Sequence, residues 1–445
     1  MKLDHVAIIG GGFSGAMLAI NLLRHGGPRA TLIERRAETA RGVAYSTVHP
    51  EHLLNVRATN MSALPDEPDH FVRWLAARGD GRLGFVPRRL YGEYLDELLA
   101  DALRQSGDRL RVIRSEAVDV RLYGGGAAVV LSGGETVPCD GVALATGNLP
   151  PPPPPGIETE GLPNGLYIAD PWSGSILDDL RTDDTMLIMG TGLTMIDVVL
   201  LADARKWSGR IVALSRRGLV PRTHGEATAQ SRSPTQPLAH CRSLVGAIRL
   251  TAETSGWRSA VDQYRPLTQG IWRAMPIGER QRFLRHLRPW WDVHRHRIAP
   301  QIADRILTLR GEGRLDVVAG RLDGVEAIGG AGAVAHVRRR NAIGAEALRV
   351  GRIVNAMGPQ GDLTRTEEPL LRRLTERGII RPDPLHIGID VDQNSYAIAA
   401  DGETMYRLLV IGPMTRGAFW EIVAVPDIRQ QAWSIARALS GTRQA

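Results

Sequence analysis

The sequence predicts an α/β protein in which one strand–turn–helix unit occurs twice. Two observations carry this prediction. A short apolar strand, a glycine-rich turn and an apolar helix follow one another from residue 5 to residue 24, and the same succession returns from residue 186 to residue 204. Between the two units an apolar strand ends in Thr146-Gly147 and leads to six consecutive prolines, which form a stiff, extended linker between domains.

Composition excludes several classes of protein. The 445 residues are 43% hydrophobic and 23% charged, which suits a folded chain of two or three domains and excludes long disorder, a collagen repeat or a coiled coil. The net charge is +7, but nearly all of the 55 basic residues are arginines, and they are scattered among 48 acidic residues. We therefore expect no nucleic-acid partner.

Cysteine usage and the N-terminal apolar run indicate the cellular location. Cys139 and Cys241 lie about a hundred residues apart, so they offer no C-x-x-C redox pair, zinc-ligand spacing or disulfide framework. We expect a reducing cytoplasm and no metal site. Residues 6–23 carry no charge, but four glycines interrupt the run and no cleavage site follows, which argues against a membrane span or an export signal.

The first turn has the sequence Gly10-Gly11-Gly12-Phe13-Ser14-Gly15, a G-x-G-x-x-G pattern between a strand and a helix. The first glycine permits the turn, the second lets the backbone approach a pyrophosphate, and the third lets the helix pack against the strand. Phosphates are then bound by free N–H groups at the start of the helix. The predicted binding residues of this turn are Gly10, Gly12, Phe13, Ser14 and Gly15.

The strand at residues 30–33 is followed by Glu34, an acid placed to accept hydrogen bonds from a ribose and to repel a 2′-phosphate. The first unit is therefore predicted to be a Rossmann-like domain that binds an adenine dinucleotide.

The second turn, Gly190-Thr191-Gly192-Leu193-Thr194-Met195, has methionine in place of the third glycine. Its predicted binding residues are Gly190, Gly192, Leu193 and Thr194. The companion strand ends in Arg216 and Arg217 instead of an acid, and guanidinium groups there suit a 2′-phosphate, which favours NADPH over NADH. The alternative is that both arginines only solvate a strand end in an arginine-rich protein.

Two dinucleotide sites in one chain divide naturally between a permanent FAD in the first unit and a visiting NADPH in the second. The predicted domains are residues 1–155 as the first part of the FAD-binding domain, residues 156–355 as the NADPH-binding domain with a helical insertion at about residues 238–309, and residues 356–445 as the returning part of the FAD-binding domain.

With these features in place, the chain resembles the flavoproteins with two dinucleotide-binding domains. Among them it is similar to an FAD/NAD(P)-binding family related to flavin-dependent N-hydroxylating monooxygenases. The resemblance covers nearly the whole chain, and its most specific part is the C-terminal stretch. The matching stretches are residues 10–15, 41–46, 52–56, 145–147 and 420–429.

The resemblance implies that the C-terminal segment completes a flavin site, with Thr146 and Gly147 among the residues that bind the cofactor. Relatives in the wider fold carry a Gly-Asp pair for the ribityl chain, whereas the corresponding strand here ends in Gly412-Pro413. Pro426, at the first position of a helix that starts near Asp427, would direct amide groups at the pyrimidine edge of the flavin. The alternative is an ordinary capped surface helix.

The segment from Asn55 to Asp66 is predicted to be an ordered loop, and similar loops in flavin monooxygenases run beside the isoalloxazine ring. We expect Asn55 and Asn60 to be the catalytic hydrogen bonders near the flavin. A turn-forming role is the alternative for both residues.

The function expected from these residues and the resemblance is that of an FAD-dependent, NADPH-consuming monooxygenase. It would use O₂ to oxygenate a small amine or amino acid through a flavin C4a-hydroperoxide. Two alternatives stay open: an NAD(P)H dehydrogenase that passes electrons to a quinone or a protein partner, and a non-catalytic flavin-binding sensor or docking protein. The oligomeric state is also open, with a homo-oligomer among the options.

Overall fold

The computed structural model describes residues 3–225, 238–329 and 332–441. Its strands are β1 His5–Ile9, β2 Arg29–Glu34, β3 Leu110–Arg114, β4 Ala117–Tyr123, β5 Gly126–Leu131, β6 Thr136–Cys139, β7 Gly141–Leu144, β8 Tyr167–Ile168, β9 Thr185–Met189, β10 Arg210–Ser215, β11 Leu315–Ile328, β12 Gly332–Arg339, β13 Glu346–Val350, β14 Arg352–Asn355, β15 Tyr396–Ile398 and β16 Thr404–Val410.

Helices connect these strands. They are α1 Phe13–Arg24, α2 Gly42–Tyr45, α3 His70–Ala76, α4 Arg88–Ser106, α5 Leu193–Ala204, α6 Cys241–Tyr264, α7 Thr268–Ala274, α8 Ile277–Arg282, α9 Arg288–Arg295, α10 Pro300–Gly311, α11 Pro369–Glu376 and α12 Val425–Leu439.

The first sheet has the strand order β15-β16-β7-β1-β2-β3, in which all neighbours are parallel except β15 and β16. Its central strands β1 and β7 are almost entirely buried, as expected for a parallel sheet covered on both faces. Strand β16 comes from the C-terminal part of the chain and places Leu408 opposite Val142. The C-terminal segment therefore completes this sheet. Strands β4, β5 and β6 form a separate antiparallel sheet.

The second sheet has the order β13-β12-β11-β10-β9-β14-β8, with parallel pairing from β11 to β8 and antiparallel pairing at β12 and β13. Helix α5 follows β9 as α1 follows β1, and both helices have 12 residues. Helix α10 packs into the core of this sheet through Ile302 and Ile306, whereas α6 to α9 lie in the connection that precedes it. The predicted α/β fold with two Rossmann-like units and helices between β10 and β11 is confirmed. None of the helices in the described ranges is long and apolar enough to cross a membrane.

A buried ion pair joins the two units. Arg88, the first residue of α4, lies with Nη1 2.9 Å from Oδ2 of Asp197 on α5, and the two side chains are only 13% and 6% exposed. The ring of His52 reaches the carbonyl oxygen of Asp197 at 3.1 Å. These contacts fix the start of α4 and the stretch at residues 52–56 against the helix that follows the second glycine turn.

Replacing Asp197 with alanine leaves the Arg88 guanidinium buried without its counter-charge. We expect Asp197→Ala to lower the free energy of unfolding by about 3 kcal/mol in urea denaturation. The matched control is Asp183→Ala, which removes an exposed partner of Arg181 and should cost less than about 1 kcal/mol. Equal losses in the two variants would contradict a structural role for the buried pair.

Candidate functional site

The first glycine turn is built by close approaches that exclude a side chain. Gly10 has a φ of +103°, and a Cβ there would overlap the carbonyl oxygen of Ala145, the residue after β7. A Cβ on Gly15 would overlap the carbonyl oxygen of Gly10. The ends of β1 and β7 and the start of α1 therefore converge on one point, as the motif predicts.

Helix α1 begins after Gly12, which has no side chain to cap the free N–H groups of the first turn. No acid occurs in that turn, so these groups remain available to an anion. Gly12 lies close to Gly42, because a Cβ on Gly12 would be 3.3 Å from the Gly42 Cα. Phe13 and Ser14 are buried, with the Phe13 ring 6.3 Å from the ring of Tyr45. The stretch at residues 41–46 thus lies directly against the first turn.

The carboxylate of Glu34 is held by backbone groups at the same turn. Gly11 donates its N–H to Oε2 at 2.7 Å, and Arg36 donates its N–H to Oε1 at 2.9 Å. A Cβ on Gly11 would lie 2.8 Å from the Cβ of Glu34, so the middle position of G-x-G also needs glycine here. The motif did not reveal this requirement, because it leaves the middle residue free. Glu34 is fixed where a ribose is expected.

The C-terminal end of β7 offers unused hydrogen-bonding capacity. Oγ1 of Thr146 is buried without a hydrogen-bond partner among the residues that the structure describes. Gly147 has a φ of +71°, and a Cβ there would meet no described atom within 4 Å. Together with the uncapped start of α1 and the fixed Glu34, these features fit the pyrophosphate and ribose of a dinucleotide such as FAD.

The turn after β16 is organised by a residue that the sequence analysis did not identify. Gly412 has a φ of +86° and lies against the Ser14 hydroxyl, and its N–H donates to Oε1 of Gln431 at 2.9 Å. The amide nitrogen of Gln431 donates to the hydroxyls of Ser395 at 3.1 Å and Thr415 at 3.2 Å. Gln431 therefore stabilises this turn, and the sequence analysis missed it because it lies 19 residues further along the chain.

The second turn repeats the geometry of the first. Gly190 has a φ of +120°, and a Cβ there would overlap the carbonyl oxygen of Ala356, the residue after β14. Helix α5 begins after Gly192, where a Cβ would meet no described atom within 4 Å. Leu193 and Thr194 are the first residues of α5 and are partly buried. The start of α5 is thus open to an anion.

The end of β10 is tied to this turn. The hydroxyls of Thr191 and Ser215 lie 2.9 Å apart, and Gly218 donates its N–H to the Ser215 hydroxyl at 3.0 Å. Arg216 is exposed, whereas Arg217 is partly buried with its guanidinium carbon 5.9 Å from the centre of the Trp290 ring. Neither arginine has an acidic partner within the described ranges.

The two asparagines expected near the flavin lie in different surroundings. The carbonyl oxygen of Asn55 accepts from Nε2 of His224 at 3.0 Å, so Asn55 lies where the first unit meets the second. Burial lowers the pKa of His224 to about 4, which keeps the ring neutral with its proton on Nε2. Asn60 ends a short 3-10 helix and is exposed. Asn55 thus carries a structural contact, and a catalytic role for either residue stays a prediction.

The C-terminal stretch at residues 420–429 contacts the helices that precede α10. Glu421 is buried and accepts from Nε1 of Trp291 at 2.5 Å and from Nε of Arg295 at 3.1 Å. The Trp420 ring stacks on Trp272, with ring centres 4.6 Å apart.

Helix α12 begins at Val425, so Pro426 is its second residue and the predicted first position is wrong by one. Both positions tolerate proline, because neither needs its N–H inside the helix. The next residue, Asp427, pairs with Arg265 at 3.3 Å, and burial raises the pKa of Asp427. The helix start is therefore paired with the residue just beyond α6 and is not free on the surface.

Comparison with known proteins agrees with this geometry. Residues 7–149 match the family model described as FAD-NAD(P)-binding. The expected resemblance is confirmed for the first unit. Among curated proteins, none matches the sequence.

Solved structures share the fold over the whole chain. L-lysine 6-monooxygenase from Pseudomonas syringae is 16% identical, with 100% of both chains covered and a TM-score of 0.69. The ornithine N-hydroxylase of Kutzneria sp. 744 is 16% identical, with 99% of both chains covered and a TM-score of 0.67. Thioredoxin reductase from Lactococcus lactis is 12% identical, with 99% of both chains covered and a TM-score of 0.53. At these identities the likeness establishes the shared fold.

Replacing each of two glycines in the second turn with alanine should affect stability and nucleotide binding differently. Gly192→Ala should leave the free energy of unfolding within about 0.5 kcal/mol of the wild type, because the added Cβ meets no described atom. It should still weaken nucleotide binding by roughly tenfold, or about 1.4 kcal/mol, because the Cβ would face an incoming pyrophosphate. Gly190→Ala should cost about 2 kcal/mol of stability or more, through strain and overlap. Urea denaturation and calorimetric titration with NADPH measure both effects, and unchanged NADPH binding by Gly192→Ala would contradict the site.

Proposed function

We propose that the protein is an FAD-dependent, NADPH-consuming monooxygenase that oxygenates a small amine or amino acid. One observation carries the proposal. The chain holds two glycine turns of the same geometry, and the strands beside them end in residues of opposite charge. The first strand ends in Glu34, whose carboxylate is held by backbone groups, and the second is followed by Arg216 and Arg217, which have no acidic partner among the described residues.

The first unit would hold FAD. The uncapped start of α1 would take the pyrophosphate and Glu34 the ribose. The Thr146 hydroxyl, which has no hydrogen-bond partner in the part of the chain that the structure describes, would bind a polar group of the cofactor. The match of residues 7–149 to an FAD-NAD(P)-binding family supports this assignment. When bound, the flavin supplies hydride acceptance and oxygen chemistry, while the chain binds it, orients it and excludes water.

The second unit would hold NADPH. The guanidinium groups of Arg216 and Arg217 can each donate paired hydrogen bonds to a phosphate, and no described carboxylate competes for them. The start of α5, open at Gly192, would take the pyrophosphate.

An amine or amino acid is the substrate class that the comparisons favour. The solved structures with the higher TM-scores include a lysine monooxygenase and an ornithine hydroxylase, and thioredoxin reductase has a lower score. The thiols argue against disulfide reduction. Both Cys139 and Cys241 are buried, and burial raises the pKa of each to about 11, so neither is a ready thiolate nucleophile.

The test uses the full-length protein loaded with FAD. NADPH is added without oxygen and bleaching of the flavin is followed; air is then admitted with a panel of diamines and basic amino acids. We expect fast bleaching and, for at least one amine, an N-oxygenated product detected by mass in near-equal yield to the NADPH consumed. Peroxide as the sole product with every amine, or faster turnover with a quinone, would contradict the monooxygenase. Failure to bleach would favour a sensor.

Replacing both Arg216 and Arg217 with alanine should discriminate between the two nicotinamide nucleotides. Loss of charged hydrogen bonds to the 2′-phosphate should weaken NADPH by about 1.5 to 3 kcal/mol more than NADH, which lacks this phosphate. Steady-state reduction of the flavin by each nucleotide measures the effect. Arg205→Ala, at an exposed position beyond α5, is the control for general loss of positive charge. Equal weakening of NADPH and NADH would refute the 2′-phosphate assignment.

A further inference from the structure

Helix α9 contacts both units, and it uses a different face for each. Trp291 and Arg295 lie one turn apart on α9, and both contact Glu421 of the segment that returns to the first unit. Trp290 points elsewhere, because neighbouring helix residues are rotated by about 100° from each other. Its ring lies near Arg217 of the second unit, with 5.9 Å between the guanidinium carbon and the ring centre.

Trp290 remains 44% exposed, which by itself is ordinary for a single surface side chain. The location of the ring is what suggests a ligand. The adenosine half of a dinucleotide lies beside the end of the second strand in units of this kind, and Arg217 follows that end in β10. An exposed indole and a guanidinium group therefore stand together where an adenine ring is expected.

The backbone holds these two side chains near each other. Arg222, which follows the β10 turn, donates its N–H to the carbonyl oxygen of Val293 on α9 at 2.9 Å. Ile298, just beyond α9, donates its N–H to the carbonyl oxygen of Arg222 at 3.0 Å. The β10 turn is itself fastened to the glycine turn through Ser215 and Thr191. The backbone contacts therefore place Trp290 and Arg217 near each other.

The spacing suits a planar ligand. A guanidinium group 5.9 Å from a ring centre is at the outer limit of a cation–π contact, which extends to about 6 Å. A base stacked on both groups needs about 7 Å, or two van der Waals separations of roughly 3.5 Å. A displacement of about 1 Å by the Arg217 side chain is enough to admit it.

We infer that Trp290 and Arg217 hold the adenine ring of NADPH between them, and that Arg216 takes the 2′-phosphate. The inference rests on the proposed function, because it needs NADPH in the second unit. Bases stack on aromatic rings and on arginine planes, and loss of one aromatic partner typically weakens binding by about tenfold or more.

The test compares Trp290→Ala, Trp290→Phe and a matched control, Leu250→Ala, which removes another exposed apolar side chain, 68% accessible, from the same group of helices. Calorimetry measures binding of 2′,5′-ADP, which carries the adenine and the 2′-phosphate but no nicotinamide. Flavin reduction is measured with NADPH, with NADH and with reduced nicotinamide mononucleotide, which lacks the adenosine half.

We expect Trp290→Ala to weaken 2′,5′-ADP, NADPH and NADH by the same factor, about tenfold or more, and to leave the mononucleotide unchanged. Trp290→Phe should recover most of the loss, and Leu250→Ala should match the wild type. Unchanged binding of 2′,5′-ADP by Trp290→Ala would overturn the inference and leave the proposed function intact. An equal loss with the mononucleotide would overturn it too, by showing that Trp290 only supports α9. A wild-type protein that does not bind 2′,5′-ADP would overturn both.

Discussion

The structure depends on one steric constraint that occurs in both units. The first glycine of each turn leaves no room for a side chain, because the carbonyl oxygen after the neighbouring strand occupies that space: Ala145 for Gly10 and Ala356 for Gly190. The N–H of each alanine in turn donates to the residue that ends the glycine-bearing strand, at 2.7 and 2.8 Å. The point where the strands and the helix meet is thereby closed, and only the start of the helix remains open to a ligand.

The two units are joined by contacts that differ in chemistry. Arg88 on α4 of the first unit and Asp197 on α5 of the second unit form a buried ion pair. Glu421 joins the first unit to α9 through Trp291 and Arg295. Both acids are nearly buried, so each depends on its partners for charge compensation. A buried ion pair requires close geometry from both sides, and these pairs therefore favour one relative placement of the units.

The turns could be predicted from the sequence because their chemistry is local. Gly10, Glu34 and Gly190 lie within short patterns whose spacing encodes a strand, a turn and a helix. The contacts between units could not be predicted. Arg88 and Asp197 are 109 residues apart, and Trp291 and Glu421 are 130 apart, so no periodic pattern links them. The absence of an acid after β16 could be read from the sequence. The contact of Gln431 with Gly412 could not, because the two residues are 19 positions apart and lie on different elements.

The two acids of the C-terminal stretch at residues 420–429 make contacts that fix the arrangement of neighbouring helices. Glu421 is held by Trp291 and Arg295, and Asp427 is paired with Arg265, so every partner comes from the helices between β10 and α10. These partners hold both carboxylates in place between the helices and the C-terminal segment. The stretch is therefore best explained as the contact that closes the helices over the first unit.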